Sequence, residues 1–96
     1  MTPSQALDQH RLEVRHIVER HRARNARVFG SVLRGADDEQ SDLDLLVDAT
    51  ERTTLFDLGA IQYEVSQLLG VRVDVVTPGA LPDKWRERVL GEASPI

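Results

Sequence analysis

A small α/β domain, its mixed sheet backed by helices on one face and open on the other, is predicted by three features of this 96-residue sequence. Apolar residues at helical spacing occupy two long stretches, and three short runs rich in Val and Leu lie between and after them. Two of those runs alternate apolar with charged residues, so each strand has one greasy and one acidic face. The length suits one modest core, and residues 1–96 therefore read as a single domain.

The elements follow in order. Residues 4–23 lack Gly and Pro and carry Leu7, His10, Val14, Ile17 and His21 at spacings of three and four, which predicts a helix with Ser4 as its N-cap. "ARVFG" (26–30) reads as a strand ending on glycine, 31–35 as a turn or short helix, and 36–41 as a polar, solvated loop. "DLDLLVD" (42–48) is the second strand. Residues 54–69 form a second helix with Leu55, Leu58, Ile61, Val65, Leu68 and Leu69 facing inward, closed by Gly70 as a left-handed cap. "VRVDVV" (71–76) is the third strand, Thr77-Pro78-Gly79 ends it, and a last helix covers roughly 80–91. Strand, helix and strand from 42 to 76 make a crossover unit.

Composition narrows the function. The absence of cysteine excludes a disulfide scaffold and a thiolate zinc site. A net charge of −4 argues against stable nucleic-acid binding, and no apolar run approaches the ~20 residues of a membrane span. The N-terminus is too polar for a signal peptide, so a cytoplasmic protein is expected. The charges are sorted: arginines crowd the first third, acids crowd 37–51, and "KWRER" (84–88) is basic again. That order suits a small anionic ligand bridged by metal to an acidic site.

The acidic strand faces carry the chemistry. Alternation puts Asp42 and Asp44 on one face, with Cα atoms about 6.5–7 Å apart, and Leu43, Leu45 and Val47 on the other. Superposing the apolar faces of the second and third strands brings Asp74 to the same open side. Three carboxylates so placed raise one another's pKa, which a divalent cation relieves. Oxygen-only donors select Mg²⁺ or Mn²⁺, and two such ions about 3.5–4 Å apart can clamp an in-line phosphoryl displacement. Gly30 lets a ligand approach the backbone, the amides after it can receive phosphate oxygens, Ser31 adds a hydroxyl, and Arg34 can reach a triphosphate. Blander roles suit other residues. His10 and His21 read as satisfied, half-buried side chains, Phe56 and Trp85 as core or lid residues, with adenine stacking as the alternative for Trp85, and the first helix's arginines as a solvated face, with a partner surface as the alternative.

"GSVLRG" followed by "SDLDLLV" resembles the nucleotidyltransferase signature of the DNA polymerase beta superfamily, with Gly30, Ser31, Arg34, Gly35, Ser41, Asp42 and Asp44 at its seven set positions. The size and the tail from Val73 onward resemble the minimal nucleotidyltransferases, the antitoxin halves of HEPN–MNT toxin–antitoxin pairs. The resemblance implies a minimal nucleotidyltransferase fold, Gly30, Ser31, Arg34 and Ser41 for the nucleotide, and Asp42, Asp44 and Asp74 for metal and catalysis. It further implies Mg²⁺ or Mn²⁺, ATP as substrate, and transfer of AMP to a hydroxyl, a tyrosine, on a HEPN ribonuclease toxin. The rival expectation is an antitoxin that masks the toxin by binding alone. An enzyme acting on a small molecule is disfavoured, because the chain has no extra domain to hold one.

Overall fold

The computed structural model describes residues 1–96. Helix α1 (Pro3–Arg20) leads into β1 (Ala23–Phe29), then β2 (Leu43–Ala49), α2 (Leu55–Leu69) and β3 (Val73–Val76). A 3-10 turn (Pro78–Ala80), α3 (Asp83–Glu92) and a two-residue strand β4 (Ser94–Pro95) complete the chain. The sheet order is β3-β2-β1-β4; β1 is antiparallel to β2 and β4, and β2 is parallel to β3. The crossover from β2 through α2 to β3 is the unit that the alternating pattern predicts. β4 carries no sequence signal, since two residues hold no periodicity.

Several boundaries differ from those read off the sequence. Thr2, not Ser4, caps α1: its hydroxyl accepts the Gln5 amide while its own amide donates to the Gln5 side chain. Pro3 takes the first helical position, where a missing N–H costs nothing. Ser4 instead holds the acidic loop, donating to Asp37 through its amide (2.8 Å) and its hydroxyl (3.0 Å). Asp37 is thus a tether and not part of a solvated run. The helix stops at Arg20, short of residue 23, and Arg22, with φ of 66°, turns the chain into a strand that starts at Ala23. The last helix is split, because the 3-10 turn and Pro82 intervene before Asp83.

The core lies between the sheet and the α1–α2 layer. Leu43, Leu45 and Val47 are fully buried there with Leu7, Val14 and Val18 of α1 and Ile61 and Val65 of α2. Leu55, expected inside, is 85% exposed. At 100° per residue it sits roughly a quarter turn from the mean of the buried set on α2. Phe56, on the far side of the same helix, is 91% exposed, and Trp85 is 45% exposed on a helix with no buried residue. Neither is a core residue. His10 and His21 are half-buried and paired with Glu13 and Glu64, as satisfied histidines should be.

The cap of α2 ties the two helices to the sheet. Thr54 and Asp57 exchange hydrogen bonds in a capping box, and Arg22 donates to Asp57 at 3.0 Å. The Thr54 amide, above all, holds the Asp57 carboxyl below the usual carboxylate range.

The second face of the sheet is closed at one end only. Leu46 has the parity of Asp44, yet it is fully buried and lies outside the main cluster; the 3-10 turn packs against its strand. Farther along, Asp42 and Asp44 are half-buried and Asp74 is exposed. No helix is long and apolar enough to cross a membrane.

Candidate active site

Strand register assembles the site. Asp44 on β2 is directly paired with Asp74 on parallel β3 and with Phe29 on antiparallel β1. The residue after Phe29 is Gly30, whose φ of 76° is left-handed. A Cβ built there would lie 2.3 Å from Asp44 Oδ2, so only glycine lets the turn rest against that carboxylate. The bend from Gly30 to Ala36 is a knot of turns and not a helix: the Arg34 amide donates to Gly30 (3.2 Å), Gly35 to Val32 (3.2 Å) and Ala36 to Ser31 (3.0 Å). Buried Val32 pins this bend to the core. The two halves of the signature, separated in sequence by the acidic loop, meet at the Gly30–Asp44 contact.

Burial, more than any neighbour, pushes the Asp44 carboxyl above the ordinary carboxylate range; the charges of Asp74 and Asp42 push it the same way, and Arg34 partly offsets them. Asp42 is differently employed. Arg72 donates to it through both Nε (3.0 Å) and a terminal nitrogen (3.2 Å) in a bidentate pair. The expected convergence of three carboxylates is therefore incomplete: Asp44 and Asp74 stand side by side, while Asp42 is taken up by a guanidinium, and no three His, Cys, Asp or Glu side chains are grouped to grip a metal ion. The donor chemistry still fits a hard divalent cation, since every candidate ligand is a carboxylate oxygen and Asp44 bears like-charge stress that a cation removes.

Two clefts are lined by residues that neighbour Asp44 on the adjoining strands. On the β1 side, a cleft of about 400 Å³ is lined by Gly30, Arg34, Trp85 and Arg88 among others. On the β3 side, a larger one of about 830 Å³ runs from Asp42 and Asp74 to the outer face of α2. Gly30, Ser31, Arg34, Asp42, Asp44 and Asp74 are thus brought to one region. Ser41 is spent elsewhere, its hydroxyl accepting the Asp38 amide (2.9 Å) to shape the loop. Arg72 is an addition to the expected set, and Trp85, read from the sequence as core or lid with adenine stacking as the alternative, lines the Gly30 cleft. Strand alternation already put Arg72 on the face of Asp74, which was the available signal; Trp85 reaches the Gly30 cleft only because the chain returns over β1 to form β4.

Comparison with known proteins decides the family: the nucleotidyltransferase domain matches residues 7–94. The chain belongs to the nucleotidyltransferase domain family. This nucleotidyltransferase is 38% identical over 86 residues to a Thermococcus cleftensis protein named protein adenylyltransferase MntA, covering 90% of this chain and 84% of that one. A solved structure described as a candidate minimal nucleotidyltransferase is 45% identical, with a TM-score of 0.87, covering 97% of this chain and 95% of that one. A toxin–antitoxin crystal structure with AMP-PNP shares the fold at a TM-score of 0.70 and 15% identity, over 97% of this chain and 71% of that one.

The Gly30 contact gives this nucleotidyltransferase a direct test. In Gly30→Ala the new methyl displaces the Asp44 carboxylate, a flexible group, so the stability cost is confined to left-handed strain of about 1–2 kcal/mol. Turnover should fall more steeply than that, by about a hundredfold, because the group that moves belongs to the site. Thermal melts and steady-state rates on the same preparation check both halves; full activity in the alanine variant overturns the placement.

Proposed function

We propose that this nucleotidyltransferase transfers AMP from ATP to a hydroxyl, a tyrosine in this reading, of a HEPN-domain ribonuclease toxin and so acts as its antitoxin. The observation that carries the proposal is Gly30 seated on Asp44 with Asp74 in register beside it, which puts a phosphate-receiving turn and a carboxylate pair in one place. The name of the Thermococcus relative supports a protein acceptor, and the toxin–antitoxin neighbour supports a toxin as that protein.

The amides after Gly30 and the hydroxyl of Ser31 receive triphosphate oxygens, and Arg34 supplies a counter-charge from the exposed side of the turn. Trp85 and Arg88 line the cleft beside that turn and offer the nucleoside a ring and a cation. Asp44, Asp74 and, once released from Arg72, Asp42 would hold Mg²⁺ or Mn²⁺, which when bound offsets the triphosphate charge and makes the α-phosphorus more electrophilic. The acceptor oxygen forms a bond to the α-phosphorus, the bond from that phosphorus to the bridging oxygen breaks, and pyrophosphate leaves. Asp74, the exposed member of the pair, takes the hydroxyl proton.

Turnover separates catalysis from masking. Incubating the chain with ATP, Mg²⁺ and a molar excess of a HEPN-domain ribonuclease toxin should inactivate all of the ribonuclease and add the mass of one or more AMP groups to it. Inactivation should persist after this nucleotidyltransferase is removed. Neutralisation that is stoichiometric, independent of ATP and lost on separation would establish binding alone.

A further inference from the structure

We infer that the outer stripe of α2, from Phe56 through Gly59 to Tyr63, is the docking surface for the protein acceptor; the inference rests on the transferase reading above and extends it from the site to the partner. The nucleotide and the acceptor need opposite sides of Asp44. Gly30 and its turn approach Asp44 from the β1 side, and in the order β3-β2-β1-β4 the opposite side belongs to β3. There the larger cleft is lined by Asp42 and Asp74 on the open face and, round the edge of β3, by Gly59, Tyr63 and Ser66 of α2. An acceptor hydroxyl entering beside Asp74 therefore brings the molecule that bears it over this helix.

The helix is built for contact on that face. Phe56, Gly59 and Tyr63 recur at intervals of three and four and so form one stripe, opposite the buried Ile61 and Val65. Phe56 is 91% exposed and Tyr63 65%, two aromatic rings left in water beside the exposed Leu55, while Ile61, Val65 and Leu69 of the same helix are buried. Between them Gly59 has open space where a Cβ would stand, leaving a notch between two anchors. Exposed aromatics flanking a gap are what a partner side chain packs into.

The dimensions select a macromolecule. Phe56 lies seven residues from Tyr63, roughly 10 Å along the helix, beyond the cleft that Tyr63 lines. A small hydroxyl compound at Asp74 cannot touch Phe56, whereas a folded protein presenting one side chain into the cleft covers both. β3 adds to this surface: it is an edge strand with only β2 beside it, and its Val75 amide is already satisfied by the Gln62 side chain (3.2 Å). A second copy of this chain is a poorer occupant, because pairing the stripe with itself would lay one α2 over the other and cover both clefts.

The test uses the full chain, ATP, Mg²⁺ and the HEPN-domain protein as acceptor, with Phe56→Glu and Tyr63→Ala as separate variants. Both should raise the KM for the protein acceptor by about tenfold, the scale of a lost aromatic anchor, with kcat at saturating acceptor and calorimetric ATP affinity within about twofold of wild type. Unchanged KM in both variants, with wild type active, overturns the docking surface and leaves the transferase reading intact. A wild-type chain that labels no protein overturns that reading and the docking surface with it. A wild-type dimer that Phe56→Glu converts to monomer makes the stripe a self-interface and also overturns the inference.

Discussion

Asp44→Asn should lower the rate of nucleotide transfer on the order of a thousandfold or more, a loss of ~4 kcal/mol of transition-state stabilisation. Asp44 is the residue at which the site's parts meet: Gly30 rests on it, Asp74 is its strand neighbour, and Arg34 and Asp42 both bear on its charge. Asparagine keeps its size and removes its charge, so the substitution separates electrostatics from packing. No other carboxylate is placed to take over, since Asp42 is held by Arg72 and Asp74 occupies the next strand. The rate of AMP incorporation into the acceptor, measured by intact mass at several times, checks this. Wild-type turnover in Asp44→Asn would remove the mechanism.

Leu45→Ala, one residue along, should do the reverse: cost about 2–5 kcal/mol of stability as a truncation in a fully buried position. Asp44→Asn should leave stability in metal-free buffer unchanged or raised. The sign follows from the direction of the shift. A carboxyl whose folded pKa lies above its unfolded value of about 3.9 stabilises the fold fully only below that value, and the contribution is lost as pH rises through the folded pKa. At neutral pH the ionised Asp44 therefore opposes folding, and asparagine removes the opposition. Chemical denaturation of the two variants at pH 7, with and without Mg²⁺, measures both effects. If Asp44→Asn unfolds far more readily than Leu45→Ala, the two faces of β2 are assigned the wrong way round.

The two faces of β2 were legible in the sequence because strand alternation is a local property: Leu43, Leu45 and Val47 are buried, and Asp42 and Asp44 face the open side. The crossover unit was legible for the same reason, as was the αL cap at Gly70, with φ of 69°. The signature residues were recognisable because their spacing is stored in the chain itself.

Other features depend on which segments become neighbours, and no local pattern encodes that. Thr2 and not Ser4 caps α1 because Ser4 has a partner 33 residues away in Asp37. Asp42 is paired because register along β3 brings Arg72 within bidentate reach, a contact 30 residues long. Leu55 matched the inward spacing but lies too far round the helix, and Phe56 and Tyr63 stay outside because only one face of α2 meets the sheet. β4 exists only as an addition to β1, and it carries Trp85 to the Gly30 cleft. The sequence alone therefore determined the carboxylate face and the left-handed glycine turn, where backbone geometry over a few residues decides the outcome. Tertiary structure decided which side of Asp44 opens to which cleft, because that depends on the order in which distant strands assemble.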